Sequence, residues 1–259
     1  MEAWFDHGPN DLSGFDLVCH HQFSRPHSIP YCLDYYTILI DLIPSPADLL
    51  AGMHNGNAQQ IRRAIAKDRI QCCFNGSPDR DERDLFQTFF NDANGPEPEN
   101  LLDRERLEQF AEAGMLALSK ALTPEGTTLV WHAYICHPRL SRARCDLSTS
   151  IKTGPDQTEL RNLAGRANRL LHYQDMLALQ TEGIRCYDFG GWYPGTEDLK
   201  RLGINRFKEG FGGTVVREYE SEQPLTLLGR LYLHLRTLKW LCLDREQIKA
   251  MQRRRLKAE

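Results

Sequence analysis

No stretch of this sequence stays apolar for the ~18–20 residues that a bilayer crossing requires. The longest apolar run, Tyr35 to Ile43, is interrupted by Asp41 and closed by Pro44. The first residues, Met1-Glu-Ala-Trp-Phe-Asp, carry acids and lack the basic-then-apolar layout of an export signal, so a cytoplasmic protein without a membrane span is expected. There is no CxxC pair: of the eight cysteines only Cys72 and Cys73 sit together, and scattered cysteines without an export signal read as reduced thiols in or near a core. Cys19, His20 and His21, with His7 and His27 nearby, match no structural zinc spacing, and no metal is expected. A Walker loop, a GxGxxG turn after a strand and a GxSxG elbow are all missing, which removes three nucleotide-binding and hydrolase classes. No helix-turn-helix pattern or broad basic patch appears, so DNA is not an expected partner.

The rest is a globular composition. The chain has 259 residues, 41% of them hydrophobic, and 26% charged residues of both signs. That is enough for one large domain or two small ones around a real core, and it excludes disorder and fibrous repeats. The net charge of −3 hides an asymmetry: positions 236–259 carry +5 and positions 1–235 carry −8. Such a basic tail can meet a polyanion or form a solvated helix face.

Residues 1–34 read as an irregular, extended N-terminal extension punctuated by Gly8-Pro9, Pro26 and Pro30. Tyr35 to Leu42 is a strand, and Ser45-Pro46 opens a helix as N-cap and N1. A second helix spans roughly residues 58–67 and places Arg62 and Arg63 beside Ile61. Gln71 to Phe74 reads as a short strand. Acidic residues 79–84 lead into an aromatic-faced helix from Leu85, and Leu101 to Ala113 is another helix. The period then alternates: Met115–Leu122 and Thr127–Cys136 form a hairpin, and residues 142–151 a third strand. Leu160 to Thr181 is the longest helix, stopped by Gly183; Ile184–Phe189 and Gly210–Tyr219 supply the last strands, and 224–257 reads as helical. This order predicts an α/β (α+β) fold with a mixed central sheet flanked by helices, in a single domain over 35–223 followed by a basic helical segment over 224–259.

Three segments and one strand face offer chemistry. The long helix begins Leu160-Arg-Asn-Leu-Ala-Gly-Arg-Ala-Asn-Arg. Arg161, Arg166 and Arg169 in its first turns oppose the helix dipole, a cost offset when an anion binds there and equally avoided if they point to water or pair with nearby acids. Gly165 permits a close backbone approach. In Tyr187-Asp-Phe-Gly-Gly, Asp188 ends a strand, where it either acts on a ligand or caps the following turn. In Arg206-Phe-Lys-Glu-Gly-Phe-Gly-Gly, Lys208 suits a phosphate, an acyl carbonyl or a carboxylate, or is a surface lysine before a glycine turn. In strand 127–136, Val130, His132, Tyr134 and Cys136 share one face while Leu129, Trp131, Ala133 and Ile135 share the other, which is assigned to the core. His132 and Tyr134 then face a second layer or a cleft, where histidine can serve as a base or as a satisfied buried residue.

Taken together, Tyr187-Asp-Phe-Gly-Gly, Gly203-Ile-Asn-Arg-Phe-Lys and Phe211-Gly-Gly resemble the C-terminal signature of the Fem-type aminoacyltransferases. Those enzymes build peptidoglycan cross-bridges and share the GCN5-related N-acetyltransferase fold. The resemblance covers roughly residues 35–240 and is most specific over 160–213. It implies a mixed sheet that splays between two strands to receive the acyl donor, with phosphate received by the helix after the first of them. Coenzyme-A users begin that helix with Arg/Gln-x-x-Gly-x-Gly/Ala. Here Asn162-Leu-Ala-Gly165-Arg-Ala167 keeps the glycine and the small residue but not the first position. Fem-type enzymes use aminoacyl-tRNA, with a Phe-Lys pair near its acceptor end, a pattern that Phe207-Lys208 matches. They usually carry two such units in tandem; this chain has length for one, so a peptidoglycan acceptor is not carried over.

The resemblance therefore implies an N-acyltransferase acting on an amine of a small molecule, amino sugar or peptide. Asp188 and His132 are the candidate bases, and Lys208 with backbone N–H groups would hold the oxyanion. Donor contacts are assigned to Arg161, Asn162, Gly165, Arg166, Asn168 and Phe207, and acceptor contacts to Arg62, Arg63, Tyr134 and Tyr187. No tightly bound cofactor is expected: aminoacyl-tRNA or acyl-CoA is the co-substrate, which leaves tRNA open as a partner. The alternative is an inactive protein of the same fold that binds a nucleotide-sugar or a protein partner.

Overall fold

Caps and alternating apolar residues divide the chain into short elements. The computed structural model describes residues 1–6, 11–25 and 32–243. In chain order these form β1 (Glu2–Trp4), β2 (Leu17–Phe23), β3 (Cys32–Asp41), α1 (Pro46–Ala51), α2 (Asn55–Ala66), β4 (Gln71–Asn75), α3 (Arg80–Asn94), α4 (Arg104–Glu112), β5 (Leu116–Leu122) and β6 (Thr128–His137). Then follow β7 (Arg142–Ser150), α5 (Thr158–Thr181), β8 (Cys186–Gly191), α6 (Leu199–Glu209), β9 (Thr214–Pro224) and α7 (Leu227–Leu243). Residues beyond 243, including most of the basic segment, lie outside the described residues, as do His7 and His27.

The chain forms two compact units, one of the described residues up to Tyr35 and from Arg217, the other Tyr36–Val216. The first unit corrects the reading of residues 1–34 as irregular. β1 pairs parallel with β2, and β2 runs antiparallel to β9 from Leu17–Pro224 to Phe23–Tyr219. Ala3, Val18 and Phe23 form its small core. β2 thus takes its pairing partner from near the other end of the chain, which local patterning does not reveal.

The second unit holds a mixed sheet in the order β3-β8-β7-β6-β5-β4, antiparallel throughout except for the parallel pair β7–β8. Helix α5 packs on α2 and on β4 to β7, while α3 and α4 pack on β5 to β7. Alternation along β6 assigns the faces: His132 and Tyr134 meet Asp175 of α5, and the Trp131 ring lies 5.7 Å from that of Phe86 of α3, tilted by 54°. Both faces of β6 are thus buried, and of the second layer or cleft left open for the His132 face it is the layer, α5, that covers it.

Cap chemistry accounts for the helix boundaries. Ser45 accepts from Asp48 N at the start of α1, and Asp79 accepts from Glu82 N, so α3 takes in the acidic run 80–84 as its own first turns, where negative charge complements the helix dipole. Asp198 caps α6 through Arg201 N. That helix is absent from the sequence reading because Gly203 interrupts a weak apolar period.

Candidate active site

Two bulges shape the centre of the sheet. The β7–β8 ladder consists of Arg142–Cys186, Ala143–Tyr187 and Arg144–Asp188 and ends there. Directly beyond, β7 carries an extra residue at Asp146, between Cys145 opposite Tyr134 and Leu147 opposite Ala133. β8 carries one between Asp188, opposite Leu39, and Gly191, opposite Thr37. A bulge bends and twists its strand, and Gly190, at φ 64°, takes the left-handed conformation that the second bulge needs. With a bulge in each, the two parallel strands part after Arg144 and Asp188.

Lys208 sits on the open edge of β8. Its Nζ donates to Gly190 O at 3.0 Å and Gly191 O at 2.6 Å, and it lies in the field of Cys145, Asp188 and Arg144. Burial pushes its pKa below the usual lysine value, while Cys145 and Asp188 pull it back. Asn205, one turn earlier in α6, fixes the segment by accepting from Tyr193 N at 3.0 Å and donating to Tyr193 O at 2.7 Å. The glycines after α6 serve packing: a Cβ on Gly213, at φ 88°, would meet the backbone oxygen of Leu39 at 2.5 Å.

Behind Lys208 lies a buried polar network. Asp175 Oδ2 accepts from Ser119 Oγ at 2.9 Å and Tyr134 OH at 2.6 Å and bonds His132 Nδ1 at 2.8 Å. His132 Nε2 meets Asn168 Oδ1 at 2.8 Å. Tyr187 OH joins Tyr134 OH at 3.0 Å to His172 Nδ1 at 2.6 Å. Burial, reinforced by His132, Lys208 and Arg169, pushes the His172 pKa well below the usual histidine value, so the ring is neutral. Burial raises both tyrosines well above their usual value, and the buried Cys145 thiol is pushed up to about 12. His132, Cys145 and His172 place one ligand atom each within 4.8 Å of one another, but both His132 nitrogens and His172 Nδ1 are already engaged in hydrogen bonds.

Beside this network, α2, the start of α5 and the end of α6 enclose a basin of about 870 Å³. Arg63, Arg161, Arg166, Arg169 and Arg206 line it. The α5 N-terminus makes no side-chain cap, and Arg161, Asn162, Gly165 and Arg166 of its first turns line the basin. Asn57 lines it too: its Oδ1 accepts from Arg169 Nε at 2.9 Å, while its buried Nδ2 has no partner among the described residues. Arg169 stacks over Phe207 at 5.1 Å. Arg161 donates to Gly154 O at 2.8 Å, and Arg166 forks onto Asp68. The lining thus carries five arginines, of which Arg166 is paired with Asp68, and one carboxylate, Glu209.

On the opposite face a second cavity of about 360 Å³ opens between α3, α4 and the sheet. Phe90, Leu102, Leu107 and Phe110 line it, with Tyr134 and the bulge residue Asp146 at its sheet side. Arg106 Nη1 holds Asp146 Oδ2 at 2.6 Å.

The structure brings Arg161, Asn162, Gly165 and Arg166 together in the basin and sets Phe207 against Arg169 at its wall. Asn168 turns to His132 and joins the network instead of the basin. Arg63 lines the basin, and Arg62 is exposed outside its lining. Tyr134 and Tyr187 are wholly buried and their hydroxyls belong to the network. Asp188 is also buried: it accepts from Arg142 Nη2 at 2.5 Å, Gly190 N at 2.8 Å and Thr37 Oγ1. It therefore holds the bulge, the capping role that the sequence kept open. His132 is locked on both ring nitrogens. Asp175, Arg206, Asn57 and Asp146 escaped the sequence reading. Asn168, His172 and Asp175 fall at i, i+4 and i+7 on one stripe of α5, which is the signal that would have revealed the network.

No protein-family model and no curated protein sequence matches this chain. Solved structures do. FemX aligns over 77% of this chain and 63% of its own, with a TM-score of 0.55 at 13% identity. The chain has the FemX fold. L-PGS from Bacillus licheniformis aligns over 85% of this chain and 72% of its own, with a TM-score of 0.50 at 13% identity. The mixed sheet flanked by helices is thus similar in fold to those of FemX and L-PGS, and the chain spans a little under two thirds of FemX. Among the described residues no helix is long and apolar enough to cross a membrane.

Proposed function

We propose that this chain is an acyltransferase that moves an acyl or aminoacyl group from a phosphate-bearing donor, aminoacyl-tRNA or acyl-CoA, to an amine. The observation that carries this reading is the end of the β7–β8 ladder beside Lys208, together with the arginine-lined basin at the head of α5. Donor phosphate sits in the basin, on Arg161, Arg169 and Arg206. The acyl carbonyl lies in the gap, and the acceptor enters from the cavity beside Asp146. The amine nitrogen attacks the carbonyl carbon, the C–O or C–S bond breaks, and the proton lost by the amine is balanced by the one gained by the leaving oxygen or sulfur. Lys208 exchanges its carbonyl partners for the developing oxyanion, a contribution worth ~2.7–4 kcal/mol at comparable sites.

Calorimetric titration with coenzyme A, acetyl-coenzyme A and charged tRNA tests the donor. Micromolar binding of one of them, weakened at least tenfold in Arg161→Ala/Arg206→Ala, is the expected result. Lys208→Ala should keep that binding and lose ~10²–10³-fold in transfer rate. Failure of all three to bind would overturn the reading in favour of a non-catalytic binder.

A further inference from the structure

Helix α7 has one anchored side and one bare side. Thr226 caps it through Gly229 N at 3.2 Å, Leu233 is fully buried, the Gly229 backbone rests on the Asp16 carbonyl, and Arg236 forks onto Glu222. The other side carries Leu227, Leu228, Leu231 and Leu235, exposed by 81%, 62%, 52% and 55%. At 100° per residue these four leucines fall within about a quarter-turn of one another, a continuous apolar stripe with Tyr232 at its edge. Isolated exposed leucines need no explanation, but four on one stripe do.

We infer that this stripe lies in the surface of an anionic lipid bilayer. Charge decides the occupant. The chain from Arg236 onward carries +5 and the remainder −8. An anionic surface therefore attracts the stretch of chain that follows the stripe directly in sequence. A helix with an apolar stripe and neighbouring basic residues binds in the interfacial plane without spanning. A second copy fits less well: five partly exposed side chains fall short of the ~800 Å² per partner of a standard interface.

Co-sedimentation of the full chain with vesicles of phosphatidylcholine alone, and of phosphatidylcholine and phosphatidylglycerol mixed about two to one, tests this. Binding to the anionic vesicles should exceed that to neutral ones at least tenfold and should decline between about 0.05 and 0.5 M NaCl as the surface charge is screened. Leu231→Glu/Leu235→Glu, both at exposed positions, should reduce it at least tenfold with an unchanged melting temperature. Arg253→Glu/Arg254→Glu/Arg255→Glu should reduce it while leaving the stripe intact. Absence of binding to anionic vesicles, or binding that the leucine variant does not change, would overturn the inference. So would light scattering that shows a dimer converted to monomer by the leucine variant, which would assign the stripe to a second copy.

Discussion

Asp188 and Lys208 stand near each other at the parting of the strands, yet their chemistry differs. The Asp188 carboxylate is taken up by the Arg142 guanidinium, Gly190 N–H and the Thr37 hydroxyl. Asp188→Ala leaves Arg142 buried without its counter-charge, a loss of about 3–5 kcal/mol. Thermal melts should show that loss in full, and any enzyme that stays folded should retain most of its turnover. A catalytic base would behave in the opposite way, with normal melting and turnover gone. His172 supplies a second residue-scale test. Because burial depresses its pKa in the folded chain, the unfolded chain binds a proton that the folded chain refuses between that lowered pKa and about 6.5. Stability from this group is complete above about pH 6.5 and falls as pH drops through the window, by up to ~1.4 kcal/mol per pH unit. Urea midpoints at pH 5.5 and 7.5 should therefore differ less in His172→Gln than in the parent. Equal differences would clear His172 of the effect.

At the scale of elements, local rules carried far where the partner was near in sequence. The α1 cap at Ser45, the β5–β6 hairpin and the long α5 were all legible because each is set by residues within a few positions. The end of α5 is the clearest case. Gly183, at φ 84°, sits at C′, with its N–H on Gln180 O and Ile184 N–H on Leu179 O, while buried Ile184 and Leu179 close the motif. Gly183→Ala should destabilise the protein by ~1–2 kcal/mol, since an L-residue resists the left-handed conformation; a denaturant curve with unchanged slope would measure it. The hidden features needed distant partners. β2 near the start of the chain finds β9 near its end, α6 is broken in sequence by Gly203, and Asn57 of α2 reaches the basin only through Arg169 of α5. The site was half legible for the same reason. The arginines at the head of α5 are clustered in sequence, whereas the hydrogen bonds around His132 come from separate elements, which local patterning does not reveal.

On the scale of the whole molecule, charge separates the two donors. Five arginines converge in the basin although positions 1–235 sum to −8. Asp68 neutralises Arg166, which leaves four arginines to meet phosphate. Each neutralised phosphate releases condensed counterions and adds roughly 0.7–0.9 to the slope of log affinity against log salt. Four contacts therefore predict that charged tRNA loses on the order of 10²-fold in affinity between 50 and 200 mM salt if it touches the basin alone. A loss nearer ~10³–10⁵-fold corresponds to about 6–10 contacts, more than the basin holds, and would require the +5 segment as well. Removing residues 244–259 should then bring the loss back to about 10²-fold, whereas a donor confined to the basin would keep its slope after the truncation. Coenzyme A carries no polyelectrolyte backbone, so its dissociation constant should shift far less over the same range. Dissociation constants at four salt concentrations, for the full chain and the truncated one, distinguish these cases by slope, whatever the absolute affinities.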